Sequence, residues 1–339
     1  MTDRSETEIV VCLLALPETS PFALYGLAEV LSSAGTAWEE LTGRPTGSPR
    51  FRVRVVGDRA GAMRISGGAP ALPEAAFADD PSCAIAIVPD LALPPDADPR
   101  GRWPAAAHWL ADRAAEGATI CSVCSGALVL AEAGLLGGRE AATHWAFADL
   151  IARLYPAVRL RPERILCAGD PEGRLVTAGG ASSSEDLVLW LIARHCGPEE
   201  AVRIRKIFLF GDRTDGQLPL AALLPRPTGE DAAVAAAQAW AAESYAEGGA
   251  AEMAAAAGLP PRTFTRRFRR ATGYAPLDYL QRLRIEEAKQ LLERSDLPAD
   301  EIAAEVGWED PAHFRRVFRR LAGVTPGAYR QRHRLPRPA

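Results

Sequence analysis

Lysine is almost missing from this chain of 339 residues. Lys206 and Lys289 are the only two, and arginine supplies the rest of the positive charge. Together with the heavy use of Ala, Gly and Pro, this is a compositional habit that carries no functional weight. Cysteine is sparse: Cys12, Cys83, Cys121, Cys124, Cys167 and Cys196 are scattered along the chain, which excludes a dense disulfide framework. No long apolar run is present. The longest in the N-terminal region, Ile9 to Leu16, falls far short of the ~20 residues of a membrane span. The opening Met1–Glu6 is polar and mixed in charge, unlike a signal peptide, so a cytoplasmic location with no membrane partner is expected. Neither sign of charge dominates either. With 39 Lys+Arg against 43 Asp+Glu the net charge is -4, which taken whole gives no hint of a nucleic-acid partner. What is abundant is apolar sequence, 48% of the chain, enough to build real cores and to exclude global disorder.

The length predicts about two domains. Through residues 1–217, short apolar runs alternate with helical stretches. Ile9–Leu16, Phe51–Val56, Ala84–Val88, Thr119–Val123 and Arg174–Ala178 read as buried strands. Ala23–Ser33, Ala105–Glu116, Ala127–Ala133, Ala141–Leu154 and Ser184–Arg194 read as helices. This pattern predicts an α/β fold, a parallel sheet flanked by helices, with ligands at the carboxyl ends of the strands. Residues 218–230 contain Pro219, Pro225 and Pro227 without periodicity and read as a linker. Residues 231–335 carry no strand pattern and read as an all-α domain.

That second domain contains an internal repeat. Phe264, Phe268, Gly273, Pro276 and Tyr279 recur as Phe314, Phe318, Gly323, Pro326 and Tyr329, and an Arg-Arg pair follows the second Phe in each copy. Gly258 recurs as Gly307, one residue out of register. Each copy reads as an Ala-rich helix, a glycine turn and a second helix, the helix-turn-helix unit that lays its second helix in a major groove. With the phenylalanines facing inward, Arg262, Thr263, Thr265, Arg266 and Arg270 are left for DNA in the first copy. Ala312, His313, Arg315, Arg316 and Arg319 are left in the second. Asp310 is a good N-cap before Pro311. From Gly258 to Ala339 there are 17 Lys+Arg and 10 Asp+Glu, a net of +7, which leaves -11 on the rest. A basic module on an acidic body is the electrostatic footprint of a DNA reader.

Arg284-Ile-Glu-Glu-Ala-Lys-Gln-Leu-Leu292, Ile302-Ala303, Gly307-Trp308, Phe314-Arg-Arg-Val-Phe318 and Gly323-Val-Thr-Pro326-Gly-Ala-Tyr329-Arg330 resemble the signature of the AraC/XylS family of transcription regulators. The resemblance covers about 105 residues. It implies two recognition helices in successive major grooves of double-stranded promoter DNA. Two departures stand out. Pro260 replaces the usual Ser cap, and Trp308 stands where Phe or Tyr is usual.

In the first half, Gly117–Leu136 reads as a strand entering a helix through Cys124-Ser125-Gly126. Such a turn exposes one side chain, here Cys124, near a helix N-terminus that favours thiolate. Thr143-His144-Trp145 offers a base. Cys121 lies inside the strand, which argues against a thioredoxin-like dithiol. Cys124-Ser-Gly126, Ala133-Gly-Leu-Leu136, Thr143-His144-Trp145 and Thr177-Ala-Gly-Gly180 resemble the ThiJ/PfpI superfamily over about 200 residues. The resemblance implies a flavodoxin-like, class I glutamine amidotransferase-like fold. Its pairing with the AraC-type module is similar to the GlxA family of regulators. It implies a nucleophile at Cys124 and its partner at His144, in a pocket shared with Ser125, Gly126, Gly179 and Gly180.

Against catalysis, the acid that relatives place near the cysteine falls at Ala23, with Glu18 the only nearby substitute. Asp90 follows Val88-Pro89 where relatives have Gly, and a carboxylate there opposes an oxyanion. The expected protein is therefore a regulator that is not an enzyme. It binds promoter DNA and a small-molecule effector, forms a homodimer, meets RNA polymerase if it activates, and needs no metal or cofactor. The rival is a cysteine-dependent amidase or glyoxalase-like enzyme carrying a DNA-binding module.

Overall fold

The computed structural model describes residues 8–45, 47–211, 213, 215–223 and 231–334. The chain divides into two compact units, Met1–Gln217 and Leu218–Ala339. Residues 224–230 of the expected linker lie outside the described residues.

The first unit begins with β1 (Ile9–Ala15), α1 (Pro21–Ser33), α2 (Ala37–Thr42) and β2 (Phe51–Gly57). The short β3 (Met63–Arg64), β4 (Pro70–Ala71) and β5 (Ala75–Ala76) follow, then β6 (Ile85–Val88), α3 (Pro104–Ala115), β7 (Thr119–Val123) and α4 (Ala127–Glu132). It ends with β8 (Glu140–Ala141), α5 (Ala148–Leu154), β9 (Arg159–Leu160), β10 (Leu166–Ala168), β11 (Leu175–Ala178), α6 (Ser184–Cys196) and α7 (Pro198–Ile207). Seven strands form one sheet in the order β10-β11-β7-β6-β1-β2-β5. The central β6 and β7 are buried at every position, as apolar runs covered on both faces must be.

Two expectations are corrected. The sheet is mixed rather than purely parallel, because β10 pairs antiparallel with β11, Cys167 opposite Thr177. A tight turn makes this possible: the Asp170 carboxylate accepts from the amides of Arg174 (2.8 Å) and Leu175 (3.1 Å). The stretch Ala141–Leu154 is not one helix. The Ala142 amide donates to Thr177 Oγ1 (2.7 Å) and Thr143 Oγ1 donates to the Cys124 carbonyl (2.9 Å). These bonds hold residues 142–143 against the end of the sheet, and α5 starts only at Ala148. Local periodicity carries no signal of such long-range partners.

The second unit contains α8 (Ala232–Ser244), α9 (Ala250–Ala256), α10 (Pro261–Thr272), α11 (Pro276–Arg294), α12 (Ala299–Glu305), α13 (Pro311–Ala322) and α14 (Pro326–His333). It has two cores. Val234, Ala237, Met253, Phe264, Phe268, Tyr279 and Leu280 build the first. Ile285, Leu292, Ile302, Trp308, Phe314, Phe318 and Tyr329 build the second. The helix α11 supplies residues to both and so joins the copies. The sequence repeat returns as a structural one. Phe264–Phe268 and Phe268–Tyr279 lie 5.1 and 5.3 Å apart, ring centre to ring centre. Phe314–Phe318 and Phe318–Tyr329 are both 5.6 Å apart, and the Phe–Tyr contact is edge-on in each copy.

Arg284 locks the α8–α9 loop by donating to the carbonyls of Tyr245 (2.7 Å), Ala246 (3.3 Å) and Gly248 (2.9 Å). The Ala246 carbonyl also presses on the second glycine turn. Gly307 has φ of +84°, and a Cβ there would lie 1.9 Å from that oxygen. The start of the expected linker is also engaged: the buried Lys289 ammonium donates to the Ala221 carbonyl (2.7 Å). Among the described residues no helix is long and apolar enough to cross a membrane.

Phe268→Ala and Phe318→Ala are each expected to destabilise this unit by about 3–5 kcal/mol, measured by urea denaturation of the full chain. Gly307→Ala should destabilise it as well, because its methyl meets backbone rather than a side chain that can move aside.

Candidate nucleic-acid interface and cysteine site

Two helices present the predicted DNA-facing residues. On α10, Phe264, Phe268 and Thr272 are buried while Arg262, Thr265, Arg266 and Arg270 are exposed and Thr263 is half-buried. On α13, Phe314, Val317, Phe318 and Ala322 are buried, with Ala312, His313, Arg315, Arg316 and Arg319 exposed. Burying phenylalanines at i and i+4 fixes the roll of each helix and sends the arginines outward. Arg269, which the sequence reading left out, is exposed beside them on α10. Arg267 is not available. It pairs with Asp231 at 2.7 and 3.0 Å and ties α10 to the start of α8.

The capping differs as the sequence implies. Asp310 accepts from the Ala312 amide (2.8 Å), and bonds from the Ala312 and His313 amides hold its carboxyl below the usual range. Pro260 makes no side-chain cap on α10. The ion pairs differ too. Among the described residues Arg262, Arg266, Arg269 and Arg270 pair with no carboxylate, whereas Arg315 pairs with Asp300 and Arg316 lies 3.8 Å from Asp310.

The cysteine lies at the carboxyl end of β7. Cys124 has φ of +58°, which non-glycine residues rarely adopt, and its turn Cys124–Gly126 leads directly into α4. The turn is clamped to the loop after β6. Ser125 Oγ accepts from the Leu91 amide and donates to the Leu91 carbonyl, both at 2.7 Å. A Cβ at residue 126 would lie 2.5 Å from the Val88 carbonyl, so this position requires glycine.

The expected thiolate does not form at neutral pH. Burial, and then the charge of Asp90, push the Cys124 thiol up to about 12, against weaker help from the Ser125 amide and hydroxyl. Cys124 is only 6% exposed, so desolvation outweighs the dipole of a helix six residues long. Asp90 is itself pushed up by burial, with a Ser20 hydrogen bond opposing, and its Oδ1 is buried without a partner. Cys121 is fully buried in mid-strand and its thiol is pushed up further, which disfavours a reactive dithiol with Cys124.

His144 is half-buried, and burial lowers its pKa, so it is neutral at pH 7. Its Nδ1 accepts from the Ala146 amide (3.1 Å). Gly180 sits against its ring: a Cβ there would lie 3.1 Å from Cδ2. The structure therefore brings His144 and Gly180 together, and Thr143 links the His144 loop to Cys124. Among the described residues no hydrogen bond joins His144 to the Cys124 thiol. The substitute acid Glu18 is engaged elsewhere, accepting from Arg102 (2.8 Å) and Trp103 (3.2 Å), while Ala23 is buried in α1.

Sequence reasoning missed Gln217. Its buried amide donates to the carbonyls of Thr143 (2.8 Å) and Arg164 (3.1 Å), and its buried Oε1 has no partner among the described residues. A Cβ on Gly179 would come within 2.8 Å of that amide. A lone glutamine bordering a proline-rich stretch gives no sequence signal of this role.

Residues 36–194 match the DJ-1/PfpI family and residues 253–332 match a helix-turn-helix domain. Over 226 residues the chain is 30% identical to the HTH-type transcriptional regulator CdhR of Pseudomonas aeruginosa, covering 63% of each. Over 200 residues it is 30% identical to the HTH-type transcriptional regulator GlxA of Rhizobium meliloti, covering 58% of this chain and 60% of the relative. The matched part thus spans less than two thirds of either regulator. A 93-residue stretch is 37% identical to isonitrile hydratase of Pseudomonas putida, covering 27% of this chain and 38% of that enzyme.

The protonated thiol predicts slow labelling. Iodoacetamide at pH 7.5 should leave Cys124 of the folded protein largely unmodified, with the rate climbing as pH approaches 12. Asp90→Asn removes a neighbouring negative charge and should raise the rate at fixed pH. Peptide mass spectrometry reads both, and labelling as fast as that of a free thiol would contradict the assignment.

Proposed function

We infer, for a chain in which a DJ-1/PfpI domain is joined to an AraC-type helix-turn-helix domain, that the protein is a sequence-specific DNA-binding transcription regulator. One observation carries the reading. The sequence repeat becomes two helices, each anchored by a Phe-Phe-Tyr stack and each presenting arginine outward, in a segment of net charge +7. Two such helices suit neighbouring major grooves of promoter DNA. Arg262, Thr263, Thr265, Arg266 and Arg270 would face one groove. Ala312, His313, Arg315, Arg316 and Arg319 would face the next.

The first unit acts as the sensor and dimerisation domain. A small-molecule effector binds beside Cys124, Ser125, Gly126, His144, Gly179 and Gly180. It switches the protein through unequal affinity for two states, and the coupling to DNA binding is reciprocal. The protein works in the cytoplasm as a homodimer and contacts RNA polymerase where it activates. Turnover would need a Cys124 thiolate and a base bonded to it. A neutral thiol beside a buried carboxylate, and an imidazole bonded to its own loop, favour binding over catalysis. The likeness to isonitrile hydratase keeps the enzyme reading testable: Cys124→Ser would then abolish turnover while sparing the fold.

Duplexes selected by the full chain from a random pool provide the test. Affinity for them should fall steeply with salt. Arg266→Ala should weaken binding by about tenfold or more, or flatten the salt slope by about one. A chain that selects no sequence, or an Arg266→Ala variant that binds as the parent does at every salt concentration, contradicts the reading.

A further inference from the structure

The two recognition helices differ in one respect that their shared repeat hides. On α10 the outward arginines Arg262, Arg266, Arg269 and Arg270 have no carboxylate partner among the described residues, and only Arg267, on the flank toward α8, is paired, with Asp231. On α13 Arg315 is paired with Asp300, from the first turn of α12, and both side chains are about half exposed, 50% and 54%. The repeat places Ala251 where Asp300 stands and Thr265 where Arg315 stands, so the first copy lacks both partners. The pair belongs to the second copy alone.

An ion pair this exposed adds little to folding. Its effect is on what Arg315 can accept. A guanidinium has five donors in a planar fork, and Asp300 occupies only one side of it. A DNA phosphate brought to the same guanidinium would set two anions close together. A base edge would not, because guanine O6 and N7 are uncharged acceptors. Phosphate contacts carry no sequence information and base contacts do. A carboxylate beside a groove-facing arginine therefore penalises the unspecific contact and spares the specific one, which is discrimination by repulsion.

We propose that Asp300 is a specificity-determining residue that acts through Arg315, turning this arginine away from phosphates and toward a guanine edge. The inference rests on the DNA-binding reading above. The first helix then supplies most of the salt-sensitive grip, and the second contributes selectivity.

The test uses the full chain, one selected duplex and one unrelated duplex of equal length, titrated by fluorescence anisotropy over a range of salt. Asp300→Asn should bind the unrelated duplex about three- to tenfold more tightly, with a salt slope steeper by about one. Its preference for the selected duplex should fall by a similar factor. In an Arg315→Ala background the same substitution should change nothing, and Asp300→Glu should restore the preference. Glu301→Gln is the control for general charge. Glu301 is exposed on the same helix and makes no ion pair among the described residues. The proposal is overturned by an unchanged preference in Asp300→Asn, by an equal gain without Arg315, or by Glu301→Gln reproducing the effect. If the parent chain selects a sequence and Asp300→Asn matches it, only this inference fails. If the parent selects none, the DNA reading fails first.

Discussion

Two phenylalanines one helical turn apart must be hidden from water, and the second half of this protein is organised around that need. Phe264 with Phe268, and Phe314 with Phe318, are almost wholly buried. Each pair meets a tyrosine from the next helix, Tyr279 or Tyr329. Burying one such ring is worth roughly 1.5–3 kcal/mol, more than any exposed arginine contact contributes to folding. Apolar packing therefore sets the roll of the helix, and the arginines take the positions left over. The arginine-bearing surface is a by-product of the core. The same logic makes α11 indispensable, since its two ends fill the two cores in turn.

In the first unit the governing contest is between desolvation and helix polarity. A cysteine on a strand-to-helix turn is the usual setting for a reactive thiolate, and the strained backbone of Cys124 fits that picture. Burial reverses it. The thiol is shielded, a buried carboxylate stands nearby, and the following helix is short. The backbone of a nucleophile site remains while its electrostatics favour the protonated form. The thiol keeps its proton, burial lowers the imidazole's pKa, and no hydrogen bond joins the two among the described residues.

Charge follows the same division. The small overall excess of acid conceals a net of +7 over Gly258–Ala339 and of -11 over the rest. Within that segment the positive charge is again unequal. The outward arginines of the first helix, Arg262, Arg266, Arg269 and Arg270, stand without acids among the described residues, and two of the second are matched by Asp300 and Asp310.

Much of this was legible in the residues. The repeat, the glycine turns, the Asp310 cap and the strand-to-helix cysteine turn are local patterns, and local patterns are set by backbone sterics and periodicity. Departures such as Pro260, Asp90 and the missing acid at Ala23 were also visible, because each is a matter of residue type at a position. The antiparallel edge strand, the break in the expected helix before Ala148, the Gln217 contacts and the Asp300–Arg315 pair were not. Each depends on groups distant in sequence meeting in space, and a side chain's partners are decided only when the chain packs. The sequence by itself determined the elements, the repeat and the outward arginines, because period and steric preference are properties of neighbours. Only the tertiary structure decided that Cys124 keeps its proton and that the two arginine-bearing helices are unequally paired, because desolvation and ion pairing depend on what surrounds a group.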